Sequence, residues 1–242
     1  MYLRTKKAVN NLLVFCCDII KEMKLLLTSG GITNKKIADA LLELVGKPAG
    51  EINLAFIPTA VNASDADKSW FIDNLYQLKQ QKYKTIDIVE ISGLPKWNWQ
   101  ERLEVADVIF FSGGSTPHLM YWLEKSGLKE MLPELLKTRV YVGVSAGSIV
   151  TGPNLATSNK EKKILYKEKF GYETDTGLGF VDFFIRPHLN SSTSLHARKE
   201  LIAETAKQVP QTIYALDDQM ALKVIDGKEE LVGEGEYIVF NK

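Results

Sequence analysis

Val140-Tyr141-Val142-Gly143-Val144-Ser145-Ala146-Gly147-Ser148 is the stretch whose reading decides the fold of this chain. An apolar run of β-type residues, Val140 to Val144, leads directly into Gly-x-Ser-x-Gly and then into a short helical segment. A serine at such a strand-to-helix turn sits in a sharp backbone bend, and the flanking glycines are needed because a Cβ at either place would collide with the turn. The hydroxyl is then exposed at the N-terminus of a helix, where N–H groups and the helix dipole favour developing negative charge. That is the environment an acyl-transfer nucleophile needs, and Ser145 is its candidate.

Working outward, short apolar strands alternate with amphipathic helices. Leu25–Leu27 reads as a buried strand ending in Thr28-Ser29-Gly30-Gly31. A helix capped by Thr33 follows, with Ile37, Leu41, Leu44 and Val45 on one face. Asn53–Pro58, Thr85–Val89 and Val108–Ser112 read as further strands. Ser64 or Asp65 is the expected cap of a helix carrying Phe71, Leu75 and Leu78, and Thr116-Pro117 opens another. Phe180–Ile185 reads as a strand and Ser194 to Gln208 as a helix. The strands Ile213–Leu216, Ala221–Ile225, Glu229–Val232 and Tyr237–Phe240 close the chain as an antiparallel edge, with Asp226-Gly227 turning between two of them. The pattern predicts an α/β fold, a doubly wound and mostly parallel sheet flanked by helices.

The chain has 242 residues, with acidic and basic residues balanced at thirty each. That balance gives no sign of a nucleic-acid or membrane partner. No linker or repeat divides residues 23–242, which read as one domain. The two cysteines, Cys16 and Cys17, are adjacent and offer no disulfide framework, so a cytoplasmic protein is expected. Residues 1–22 read as an appended extension. Their apolar stretch, Leu12 to Ile20, is interrupted by Asp18, lacks a cleavage site and is too short to span a bilayer.

In open α/β sheets, sites form beyond the carboxyl ends of the strands. Two glycine turns fall there: Gly113-Gly114-Ser115-Thr116 and the elbow at Ser145. Were their strands neighbours, the N–H of Gly114 would face that of Ala146 and form an oxyanion hole, with Gly113, Ser115 and Thr116 against the substrate. A serine nucleophile needs a base, and there are three histidines. His196 lies in a charged helical stretch and reads as solvated. His118 stands beside the glycine turn, placed to line the pocket. His188 ends an apolar strand at Arg186-Pro187-His188, on the active face, and is favoured as general base. Asp182, six residues earlier in an extended run, would be roughly 20 Å away. Asp217 and Asp218 follow a strand end, and alternation lets at most one of them reach the histidine. The order Ser, His, Asp differs from the Ser, acid, His order of α/β-hydrolases.

These residues resemble a known family. The turn Gly113-Gly114-Ser115-Thr116, the elbow Gly143 to Ser148, the pair Gly152-Pro153 and a histidine at a later strand end are together similar to the peptidase E (aspartyl dipeptidase) and cyanophycinase family. The resemblance runs from Met23 to the C-terminus. It implies a fold like that of class I glutamine amidotransferases, with serine replacing their nucleophilic cysteine, and a Ser-His-acid triad. Members carry the acid just after a strand, in a Leu-Pro-Glu or Ile-Asp-Glu context, which places Asp218 at the acid position, with Asp where the family usually has Glu. Aspartyl dipeptidases also carry an Asp after a Thr-Asn pair, whereas this chain reads Thr157-Ser158-Asn159-Lys160, so a strict preference for Asp-X dipeptides is not implied.

The expected activity is hydrolysis of small peptides through an acyl-enzyme, with neither cofactor nor metal, by a monomer or homodimer. Two other readings stay open: a serine esterase or amidase acting on a small metabolite, and a catalytically silent binding protein on the same fold.

Overall fold

The computed structural model describes residues 23–242 apart from 64, 159 and 193, so the expectations for residues 1–22, for Ser64 and for Asn159 lie outside the described residues. A seven-stranded sheet runs in the order β3-β2-β4-β5-β1-β8-β9. It is made of β1 (Lys24–Thr28), β2 (Asn53–Ile57), β3 (Thr85–Ile88), β4 (Val108–Phe111), β5 (Val140–Val144), β8 (Met220–Ile225) and β9 (Lys228–Gly233). From β3 to β1 the neighbours are parallel, and β8 and β9 add an antiparallel edge. A second sheet of three strands, in the order β10-β7-β6, pairs β7 (Ile213–Leu216) parallel with β6 (Phe184–Arg186) and antiparallel with β10 (Tyr237–Phe240).

The continuous apolar strands are explained by burial on both faces. Successive side chains of a strand point to opposite faces. Accordingly Leu25, Leu27, Ile109, Phe111 and Tyr141 enter one core, while Leu26, Val108, Phe110, Val140 and Val142 enter the other. The first core is covered by α3 (Lys96–Glu104), α4 (Thr116–Ser126) and α5 (Leu128–Leu135), through Trp99, Leu119, Leu123 and Leu132. The second is covered by α1 (Lys35–Val45), through Ile37, Leu41 and Leu44, and by α2 (Ser69–Gln80), through Leu78. The small sheet packs Ile185 and Tyr214 into the first core, beside Phe183 just before β6. Its other face, Phe184, Ile213 and Ala215, covers Ile202 and Ala206 of α8 (Lys199–Ala206).

Several boundaries differ from the sequence expectation. Asn34, not Thr33, caps α1, its side chain accepting from the Ile37 N–H at 3.1 Å. Asp65 does not cap α2. That helix starts at Ser69, and it is the Asp67 carboxylate that takes the Ser69 N–H, at 3.0 Å. The strand expected at Phe180–Ile185 is shorter and starts later, at Phe184–Arg186. The helix expected from Ser194 to Gln208 is a 3-10 turn, Leu195–Ala197, followed by the shorter α8. The closing strands are divided, β8 and β9 joining the large sheet and β7 and β10 the small one. Among the described residues no helix is long and apolar enough to cross a membrane.

Phe110 is 1% exposed and its ring stacks on that of Phe56 at 5.3 Å between centroids. Phe110→Ala is expected to cost about 3–5 kcal/mol in urea denaturation. A change below about 1 kcal/mol would contradict this account of the second core.

Candidate active site

Ser145 follows β5 and precedes α6 (Ala146–Ile149), with φ 48° and ψ −99°. This left-handed backbone is costly for a residue with a Cβ and persists where the surroundings over-determine it. Here they do. The Ser145 N–H donates to the Thr28 carbonyl at 3.1 Å, and the Ser145 carbonyl accepts from the N–H groups of Ser148 and Ile149 at 3.0 and 2.9 Å. A Cβ on Gly143 would stand 2.5 Å from the Gly147 carbonyl carbon, and one on Gly147 would stand 2.5 Å from the Phe111 carbonyl oxygen. Both glycines of the elbow are therefore dictated by backbone contact. Buried hydroxyls fix the rest: Thr28 Oγ1 donates to the Gly143 carbonyl at 2.8 Å, and Ser148 Oγ reaches the Thr28 carbonyl at 2.7 Å. The Tyr141 hydroxyl donates to the Gly147 carbonyl at 2.6 Å.

Opposite the elbow, His188 follows β6 and Asp218 follows β7. His188 Nε2 lies 2.9 Å from Ser145 Oγ, and His188 Nδ1 lies 2.7 Å from Asp218 Oδ1. A carboxylate only accepts, so the neutral imidazole carries its proton on Nδ1 and leaves Nε2 to accept from the serine. Burial opposes ionisation of Asp218. The hydrogen bond and charge of His188, together with a hydrogen bond from Ser29, outweigh it and hold the carboxyl below its ordinary value of 3.8. Asp217 faces elsewhere: its carboxylate accepts the N–H groups of Gln219 and Glu236, at 2.9 and 2.6 Å.

The glycine turn reaches the same place, since β4 and β5 are parallel neighbours. Gly114 has φ 131°, and a Cβ there would strike the Ala60 carbonyl, whose oxygen accepts from the Ser115 N–H at 2.8 Å. A Cβ on Gly113 would lie 3.4 Å from Ser145 Cβ and 3.4 Å from the Trp70 ring. Ala146 is the first residue of α6, so its N–H has no intrahelical acceptor. Ser115 occupies the N-cap of α4 and Thr116, buried, its first position.

The other candidates are elsewhere. His118 pairs through Nδ1 with the Tyr166 hydroxyl at 2.9 Å, and its ring packs near Trp122 and Phe170. Burial lowers its pKa, against the opposing charge of Glu90. His196 is exposed in the 3-10 turn, and its carbonyl accepts from Arg186 at 2.7 Å. Lys160 is exposed at the start of α7 (Lys160–Phe170). The sequence reading missed Thr28, Ser29, Ser148 and Trp70 as site-building residues. The only available signal was that Thr28-Ser29 stands at the end of a buried strand, like the two glycine turns.

The model of peptidase family S51 matches residues 25–232. An uncharacterized peptidase of Pasteurella multocida is 22% identical over 193 residues, covering 78% of this chain and 88% of that protein. A peptidase E of Nostoc sp. is 26% identical over 194 residues, covering 77% and 75%. Among solved structures, a candidate peptidase E of Listeria monocytogenes EGD-e superposes with a TM-score of 0.72 at 20% identity, covering 88% of this chain and 99% of that one.

A carboxyl whose pKa is depressed in the folded state adds stability that is present above its unfolded value and is lost as pH falls through the folded one. Asp218→Asn is therefore expected to be less stable than wild type near neutral pH. The gap should narrow as pH falls below 3.8, the ordinary value of the group. Urea denaturation across an acid pH series measures it, and a gap independent of pH would contradict the His188–Asp218 pairing.

Proposed function

The chain belongs to peptidase family S51 and is a serine-type peptidase, and on that premise we propose that Ser145, His188 and Asp218 are its catalytic triad, acting on small peptides as a dipeptidase does. The observation that carries the reading is the unbroken hydrogen-bonded line from Asp218 Oδ1 through His188 to Ser145 Oγ, at 2.7 and 2.9 Å.

In the proposed reaction His188 Nε2 takes the proton of Ser145 Oγ as the oxygen attacks the scissile carbonyl. The tetrahedral oxyanion is held by the N–H groups of Gly114 and Ala146, at the start of a helix where negative charge is favoured. Asp218 keeps the imidazole in the tautomer that presents Nε2 to the serine and stabilises the imidazolium that forms. His188 then returns the proton to the leaving amine, and the acyl-enzyme is hydrolysed by water that His188 deprotonates in turn. Gly113, Ser115 and Thr116 border the substrate on the side of the glycine turn, where the Trp70 ring also closes on Gly113. An exposed Lys160 gives no support to a preference restricted to Asp-X dipeptides, and a dipeptide library with varied first residues is the assay that defines specificity.

Ser145→Ala is expected to lose about 10⁵–10⁶ in kcat on the best dipeptide, as when the nucleophile of a cooperating triad is removed. It should fold normally and fail to react with a fluorophosphonate probe. A Ser145→Ala protein that keeps its rate would end the serine-nucleophile reading. Asp218→Asn should be strongly impaired while Asp217→Asn retains most activity, and the reverse ranking would show that Asp217 is the acid. Turnover of p-nitrophenyl esters with none of amino-acid p-nitroanilides or dipeptides would move the assignment to an esterase.

A further inference from the structure

The nucleophile and its partners come from different sheets. Ser145 ends β5 of the large sheet, whereas His188 and Asp218 end β6 and β7 of the small one. A residue in contact with both sheets would hold the three in line. Ser29 has the right position. It is the first residue beyond β1, which pairs in parallel with β5 so that Thr28 lies opposite Val144, and it therefore stands beside Ser145. Its side chain is fully buried, at 0% exposure.

Both functions of the Ser29 hydroxyl are used, and both partners belong to the site. Its oxygen accepts the backbone N–H of His188 at 2.8 Å, and its O–H donates to Asp218 Oδ1 at 2.8 Å. Its own N–H donates to the Met220 carbonyl, at 3.2 Å. His188 is held at φ 64°, a left-handed conformation unfavourable for a residue with a side chain, so its backbone needs a fixed acceptor. Gly30 allows the close approach: a Cβ there would stand 2.7 Å from the Asp218 carbonyl oxygen.

We propose that Ser29 is a positioning residue that holds the His188–Asp218 pair of the small sheet in register with Ser145 of the large sheet. The proposal rests on the triad reading above. Ser29 is fully buried, and its hydroxyl bonds neither Ser145 Oγ nor His188 Nε2 but the His188 N–H and Asp218 Oδ1. It acts by anchoring the base at its backbone and the acid at its carboxylate.

The arrangement also has an electronic consequence. Asp218 Oδ1 takes two hydrogen bonds, from His188 Nδ1 and from Ser29, so its negative charge is divided between them. Without the Ser29 hydroxyl that oxygen serves the imidazole alone and stabilises its protonated form more. His188 and Ser29 are the groups that hydrogen-bond Asp218 Oδ1, and neighbouring Asp217 is committed to the amides of Gln219 and Glu236.

The test is Ser29→Ala in the full chain, with Ser145→Ala as a parallel control, assayed on the best dipeptide across pH. The expected result is a fall in kcat of roughly 10- to 100-fold with KM changed by less than about twofold, as for loss of alignment without loss of binding. The acid limb of the kcat/KM profile should move to higher pH, and thermal melting measured beside the kinetics establishes that the variant is folded. A Ser29→Ala enzyme with wild-type kcat, or one whose kcat falls while its acid limb stays in place, overturns the proposal provided Ser145→Ala is inactive. If Ser145→Ala is active, it is the triad reading that fails.

Discussion

The site depends on one backbone conformation, the left-handed bend at Ser145. An L-residue does not adopt it without help, and here the help is spread over three parallel strands. β4 contributes the close approach of Phe111 to Gly147, β1 contributes the carbonyl and hydroxyl of Thr28, and β5 contributes Gly143 and Tyr141. The hydroxyls of Thr28 and Ser148 are buried, and a buried hydroxyl that lost its partner would be costly, so each contact that bends the chain also has to be kept. The cost of presenting one serine is thus distributed through the core of the large sheet.

A Ser-His-acid line can be built on many scaffolds, and in this fold it is a junction. The five parallel strands supply Ser145 and the glycine turn, while the small sheet supplies His188 and Asp218. The order in which the residues occur along the chain follows from this, because β6 and β7 come after β5 in sequence. An α/β-hydrolase inserts its acid before its histidine and so cannot share this connectivity, although its elbow obeys the same steric rule. A similar arrangement of serine, histidine and carboxylate is reached here by a different route through the sheet.

The elbow, the glycine turn and His188 were legible because each rests on a short-range rule: a run of β-formers, a glycine where a Cβ would collide, a titratable group at a strand end, whereas the choice of Asp218 over Asp217 came from the family resemblance. The alternation argument that allowed only one of Asp217 and Asp218 to reach the histidine matches the contacts of both carboxylates. What escaped depended on tertiary context. α7 reads Lys-Glu-Lys-Lys-Ile-Leu-Tyr-Lys-Glu-Lys-Phe, with too few periodic apolar positions to announce a helix, and α5 contains Pro133. The start of α2 slid from the expected Asp65 to the turn held by Asp67, since several polar residues in a row offer equivalent caps. Ser29 escaped because nothing in a Thr-Ser-Gly-Gly turn says which later loop its hydroxyl will meet.

The contacts at the site join residues far apart along the chain. His188 and Ser145 are separated by 43 positions, and Ser29 and Asp218 by 189. β1, the earliest strand described, lies between β5 and β8, so it gains its neighbours only after most of the chain has been made. Loop-closure entropy must be overcome before such distant pairings are rewarded, which makes their formation slow relative to local structure. The chain must therefore be made through residue 218 before Ser145, His188 and Asp218 can all take the places described. A fragment ending before that point lacks Asp218, and with it the carboxylate that His188 Nδ1 meets.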